Sequence, residues 1–276
     1  MAEENDIALQ QEYAALLPHI KELFSLYHVL HAARTKRGSI DFDLPETKII
    51  FGEGRKIEKI VPLQRNDAHR LIEECMLCAN ICAARFMLKN ECPGLYRNHE
   101  GPSLEKLEDL RKFLGEMGLK LPGGEKPEPD DYATLLASIS ERPDAHLIQT
   151  VLLRSLSQAV YSPENKGHFG LAFDAYTHFT SPIRRYPDLV VHRSIRKILQ
   201  PGYQSGQSDP HLENLGEHCS MTERRADDAT REAVDWLKCE FMMDKVGQEY
   251  DAIISGVTSF GFFAELSEIY AEGLVH

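Results

Sequence analysis

The chain has 276 residues, 42% hydrophobic and 27% charged, with a net charge of −12. That length and apolar content suit one large domain or a domain and part of another, and they argue against wholesale disorder. The acidic balance excludes a generally basic, nucleic-acid-coating surface but leaves room for a local cluster of arginines lining a narrow groove. No apolar run approaches the roughly 18 residues needed to cross a bilayer, so no membrane association is expected. The start, MAEENDIALQQ, is acidic and lacks the features of a secretory signal. Six cysteines are sparse for a disulfide scaffold of this size, and the expected setting is reducing and cytoplasmic.

In chain order, residues 9–33 carry a helical stripe from Leu16 to Leu30, with Pro18 predicted to kink it. Over 35–63 the period changes. Ile40, Phe42 and Leu44 alternate with Ser39, Asp41 and Asp43, then Ile49-Ile50-Phe51 follow, which predicts paired strands with a turn at residues 52–54. Residues 66–90 predict a long helix capped by Asn66 or Asp67, apolar or small on nearly every face and therefore buried. Shorter helices are predicted from Ser103 to Gly115, over 131–140 and over 144–160. Another follows Pro187, and a further one opens on the Ser220/Glu223 capping box and runs to about Val246. From Tyr250 the pattern turns to strands.

The stretch YTHFTSPIRRYPDL, residues 176–189, concentrates the chemistry. Pro182 and Pro187 each fix φ and restrict the residue before them, so Arg184 and Arg185 sit on a stiff segment beside a helix N-terminus. A guanidinium offers a planar fork that matches a phosphate, and a rigid support reduces the entropy lost on binding. A salt-bridged arginine pair at a helix entrance fits the same residues. Glu73 and Glu74 open the long helix, where acids either offset the macrodipole or accept hydrogen bonds from a ligand. Cys75, Cys78 and Cys82 lack the fourth ligand a structural zinc needs, and they also suit tight helix packing. Asp41 and Asp43 share one face of a predicted strand. They do not complete a two-metal centre, and a solvated strand face explains them as well. Phe42, Phe260 and Phe263, with His276, are core residues or base-stacking groups.

Together, RNDAHRLIEECMLCANICAARF, LPGGEKPEPDDYATLL, RPDAHLIQTVLLRSLSQAVYSPENKGHFGLAF, YTHFTSPIRRYPDLVVHRSI and HCSMTERRADDATREAVDWLKCEFM resemble the ribonuclease II/ribonuclease R family of RNB exoribonucleases, its ribonuclease R branch above all. The resemblance runs from about residue 15 to the end, and YDAIISGVTSFGFFAEL…EGLVH is similar to the opening strands of the OB-fold barrel that follows the catalytic domain in this family. It implies an α+β fold: residues 1–246 as the C-terminal part of an RNB catalytic domain, with antiparallel strands and packed helices, and 247–276 as the first strands of the barrel. It also implies a Mg²⁺-dependent processive 3′-to-5′ exoribonuclease that threads single-stranded RNA and releases nucleoside 5′-monophosphates. By the same resemblance, Arg184 contacts the scissile phosphate, Glu74 the 3′-terminal nucleotide and Phe42 the terminal bases. Arg185 and Tyr186 support the turn, and Phe260, Phe263 and His276 belong to the RNA-binding barrel. The family's metal-binding aspartate cluster, a GDDSRDFDDA-like run, has no counterpart in this sequence. The expectation is therefore a chain that holds no metal ligands and is inactive alone. The alternative is a non-catalytic RNA-binding or complex-forming module.

Overall fold

The structure is a computed structural model that describes residues 7–44, 47–63, 65–267 and 269–276. In chain order its elements are α1 (Ile7–Glu12), α2 (Leu17–Lys36), β1 (Thr47–Phe51), β2 (Ile57–Pro62), α3 (Asp67–Lys89), β3 (Tyr96–Asn98), α4 (Leu104–Glu116), α5 (Pro129–Ile139), α6 (Ala145–Ser155), β4 (Val160–Ser162), α7 (Tyr186–Ile198), α8 (His211–Met243), β5 (Ala252–Thr258), β6 (Gly261–Leu266) and β7 (Glu272–Val275). The fold is α+β. The described residues form two compact units, one falling within Met1–Ile40, Arg65–His99 and Tyr161–Glu213, the other within Asp41–Gln64, Glu100–Val160 and Asn214–His276.

The first unit is organised by α3. Its Asn66 cap accepts a hydrogen bond from the His69 amide at 3.1 Å, and no proline or glycine interrupts the 23 residues that follow. Glu74, Leu77, Asn80, Ala84 and Met87 recur at helical spacing and are buried. The opposite face is open: Ile72, Cys78 and Cys82 are exposed, against the expectation of a helix buried all round. The small side chains Ala83 and Ala84 let Met87, Tyr96, Ala175 and Val191 close into a core that joins α3 to α7. In place of one kinked helix there are two, because Pro18 lies in the first turn of α2, where its missing N–H leaves no intrahelical partner unsatisfied.

In the second unit, β1 and β2 form an antiparallel hairpin whose turn is a single 3₁₀ turn at Glu53–Arg55. The strand expected over Ile40–Leu44 is absent. Its alternation is real, but the backbone there is bonded elsewhere, with the Asp43 amide donating to Gln149 Oε1 at 3.0 Å. Pro45 and Glu46, within the same expected strand pair, lie outside the described residues. Helices α4, α5 and α6 bury Leu107, Leu110, Leu114, Tyr132, Ile139, Ile148 and Leu152. The strands expected from Tyr250 onward are present: β5, β6 and β7 pair antiparallel as a meander in that order. Gly261 is required where β6 starts: a Cβ there would stand 2.2 Å from the Val275 carbonyl oxygen.

Helix α8 begins nine residues before the expected capping box. The Asp209 carboxylate accepts the His211 amide at 3.0 Å and supplies the start signal. Ser220, now inside the helix, donates back to the Gly216 carbonyl at 2.8 Å instead of capping. Residues 224–233 of this helix are exposed on every side.

Leu114 is fully buried on α4. Leu114→Ala is expected to destabilise the fold by about 2–5 kcal/mol through lost burial and a residual cavity, read as a lower urea midpoint.

Candidate functional site

The segment before the arginine pair is fixed by α3. Asn80, buried on the inner face of α3, donates to the Tyr176 hydroxyl at 2.8 Å and accepts the Phe179 amide at 2.9 Å. Thr177 donates to the Leu95 carbonyl. The Phe179 ring stacks on His192 of α7, with centroids 4.2 Å apart and planes 12° from parallel, and His192 Nε2 donates to the Phe179 carbonyl at 2.9 Å. The chain then turns through Ser181–Arg184. The Ser181 carbonyl accepts the Arg184 and Arg185 amides at 3.3 and 3.0 Å, and Arg185 occupies the N-cap position of α7 without a capping side-chain bond.

Asp188 closes the turn from inside. It is 0% exposed, and its Oδ1 accepts both the Ser181 amide at 2.7 Å and the Arg185 guanidinium at 2.8 Å. The two arginines therefore part company. Arg185 is committed to the buried carboxylate. Arg184 is exposed and its guanidinium has no partner among the described residues, beside Ile183, whose side chain is fully exposed. Thr180 Oγ1, Arg185 Nε and Asp188 Oδ2 are buried without hydrogen-bond partners among the described residues.

Behind the turn lies a shell of rings. Tyr161 bonds His178 Nδ1 at 2.8 Å, the Arg97 guanidinium covers Tyr161 at 4.5 Å, and His168 packs edge-on against Tyr176 at 5.2 Å. Burial, then His99 and Arg97, push the His168 pKa down to about 3. Burial, then Arg185, Arg97, His168 and Arg184, push that of His178 down to about 2. Both imidazoles are neutral near pH 7 and add no charge of their own.

On the N-terminal half of α3, Arg34 of α2 reaches Glu73 Oε1 and Glu74 Oε1, each at 3.0 Å, and Arg65 also pairs with Glu73. Glu74 is 5% exposed, and its Oε2 has no partner among the described residues. Arg37 donates to the Leu171 carbonyl at 3.0 Å and lies 4.0 Å over the Phe173 ring. Burial lowers its pKa, against the opposing pull of Glu74. The first unit thus presents one unengaged guanidinium on a rigid turn and one buried carboxylate with a spare oxygen.

The sequence model of the RNB domain matches residues 2–201. The chain belongs to the RNB domain family. It is 53% identical over 283 residues to ribonuclease R of Escherichia coli strain K12, a match that covers 99% of this chain and 35% of the relative. Among solved structures it resembles Mycoplasma genitalium RNase R in complex with ribose methylated single-stranded RNA, with a TM-score of 0.87, 30% identity and coverage of 99% of this chain and 44% of that one. The same enzyme in complex with double-stranded RNA gives a TM-score of 0.84 at 31% identity, covering 92% of this chain and 46% of that one. The chain spans about a third of the length of the curated relatives it matches.

In this RNB chain, Arg184, Arg185, Tyr186 and Glu74 fall in the first unit, and Phe42, Phe260, Phe263 and His276 in the second. Phe42 is half-buried in an irregular segment, flanked by the exposed Asp41 and Asp43. Phe260 is 56% exposed in the β5–β6 turn, its ring 6.1 Å from that of His276. Phe263 is half-buried on β6, paired with Gly256 and Leu274. No group of three or more His, Cys, Asp or Glu side chains among the described residues is placed to hold a metal ion. Sequence reasoning missed Asn80 as a clamp and Asp188 as the anchor. The signals were a lone amide in an apolar run and the i, i+3 spacing of Arg185 and Asp188.

Two outcomes follow for this RNB unit. Glu74→Ala removes the buried partner of Arg34 while Glu73 still pairs with it, and is expected to cost about 1.5–3 kcal/mol in unfolding free energy, measured by denaturant titration. The depressed histidines bind protons only when unfolded, so their contribution is complete above about pH 6.5 and declines as pH falls. Stability is expected to drop by up to about 1.4 kcal/mol per pH unit per histidine between pH 6.5 and 4, and a His168→Asn/His178→Asn variant to flatten that slope in unfolding curves.

Proposed function

We propose that this chain is the phosphate-gripping part of a 3′-to-5′ exoribonuclease that hydrolyses single-stranded RNA to nucleoside 5′-monophosphates in the cytoplasm. Residues 1–246 are the C-terminal part of the RNB catalytic domain, and 247–276, the β5–β7 meander, open an OB-fold RNA-binding domain. The observation that carries this reading is the division of labour in the arginine pair. A buried Asp188 consumes Arg185 and fixes the turn, leaving Arg184 as an unengaged cation whose approach is set in advance. Preorganised donors of this kind stabilise charge that develops on a phosphate without reorganising during the reaction.

The remaining roles follow from the chemistry of each group. Glu74, with one oxygen held by Arg34, has a second oxygen to accept a ribose hydroxyl of the terminal nucleotide. Phe42 is the base clamp, and Tyr186 supports the turn at its exposed edge. The exposed Phe260 and its neighbour His276, with Phe263 beside them on the sheet, form a stacking surface in the OB-fold segment. The described residues offer no cluster of donors suited to the Mg²⁺ of the proposed reaction. The exposed cation is sufficient for a second reading, a module that binds RNA without cleaving it, and the chain taken alone is expected to behave that way.

The test is binding of a labelled single-stranded RNA, read by fluorescence anisotropy, alongside a mononucleotide-release assay in Mg²⁺. Arg184→Ala is expected to weaken binding by about tenfold or more with stability unchanged, the loss of a charge-assisted contact. Arg185→Ala is expected to lower stability first. Equal affinity for wild type and Arg184→Ala sinks the phosphate reading, and Mg²⁺-dependent release of nucleoside monophosphates by the purified chain sinks the expectation of inactivity.

A further inference from the structure

Between Arg184 and Gln200 the sequence places five basic side chains, Arg184, Arg185, Arg193, Arg196 and Lys197, against one acid, Asp188. In a chain of net charge −12 this is a local reversal of sign. The acid is wholly buried on Arg185, so it does not offset the other cations, all of which are exposed. At 3.6 residues per turn, Tyr186, Arg193 and Lys197 fall within about 40° of one another around α7, with Arg196 bordering them. They span about 16 Å along the helix at 1.5 Å per residue.

This face is ordered as well as basic. Tyr186 is 48% exposed, Arg193 Nη1 donates to its hydroxyl at 3.2 Å, and the guanidinium lies 5.8 Å from the ring centroid. Lys197 is steadied by Gln207 Oε1 at 2.7 Å. Cations in the last turn of a helix offset its macrodipole, which accounts for Arg196 and Lys197. That explanation does not reach Arg193 in mid-helix, Arg184 before the helix, or an aromatic ring held open to solvent.

We propose that the exposed face of α7 is a second RNA contact, a phosphate track along Arg193, Arg196 and Lys197 with Tyr186 as a stacking group at the end next to Arg184. The proposal rests on the reading of Arg184 as a phosphate contact and extends it away from the turn. At about 3.4 Å per stacked nucleotide the track accommodates about five nucleotides. Its side chains are cations and one ring, which bind backbone and base faces without selecting sequence.

The test compares single-stranded RNAs of about four and about twelve nucleotides, the shorter reaching the turn and the longer the helix as well. The variant is Arg193→Gln/Arg196→Gln/Lys197→Gln, exposed positions whose replacement leaves the core intact, with the fold checked by circular dichroism. Affinity for the longer RNA is expected to fall about tenfold and the log–log salt slope to become shallower by about 2, while the shorter RNA binds as before. If the variant matches wild type on the longer RNA, the track is wrong, the face is left to a protein neighbour, and the reading of Arg184 stands. Equal loss on both lengths also overturns the track, because it signals a general charge effect. If the wild-type chain binds neither RNA, the reading of the site fails and takes the track with it.

Discussion

The carboxylate of Asp188 accepts the Ser181 amide and the Arg185 guanidinium at a single oxygen while its surface is closed to water. A charge removed from water is tolerated only when it is paired and hydrogen-bonded, so the carboxylate and the turn stabilise each other. Pro182 and Pro187 narrow the backbone choices, but neither selects which guanidinium faces inward. Asp188 does that, because its i, i+3 position on the first turn of α7 can reach Arg185. Arg184 is then left on the outside by default. The anchor also explains why Arg185, though chemically identical to its neighbour, is a positioning group.

The surroundings keep the turn's charge constant. Burial of the rings above all, with His99 and Arg97 beside His168 and Arg185, Arg97 and Arg184 beside His178, holds both imidazoles neutral down to acid pH. A protonated imidazole there would repel the guanidiniums at short range in a poorly solvated setting. The outward cation therefore owes nothing to titration near neutrality. The cost appears elsewhere, as a fold that loses stability in acid.

Much of the architecture was legible because local chemistry and tertiary demand agree. Asn66 caps α3, the aromatic alternation of β5 and β6 survives as a meander, and Ser103 caps α4. The failures share a cause. The alternation over Ile40–Leu44 meets the pattern of a strand, yet its backbone finds other partners, and the Ser220/Glu223 pair meets the pattern of a helix start, yet Asp209 had already supplied one. In each case a short pattern named a conformation that depends on a partner outside it. The candidate site divides the same way. The sequence pointed to the arginine pair and to Glu74, but the distinction between Arg184 and Arg185, and the grip of Arg34 on Glu74, are products of long-range closure.

Helix α8 carries one further implication. A helical stretch with no side packed against a core, as over residues 224–233, draws no support from apolar burial. It persists through its own ladder of backbone bonds, aided by weak local pairs such as Asp228 with Arg231 at 3.7 Å. Such a segment melts on its own free-energy scale, well below that of the packed ends, so its amides open to solvent without either end coming apart. The longest rod in the molecule is therefore also, along its middle, among its least cooperative parts.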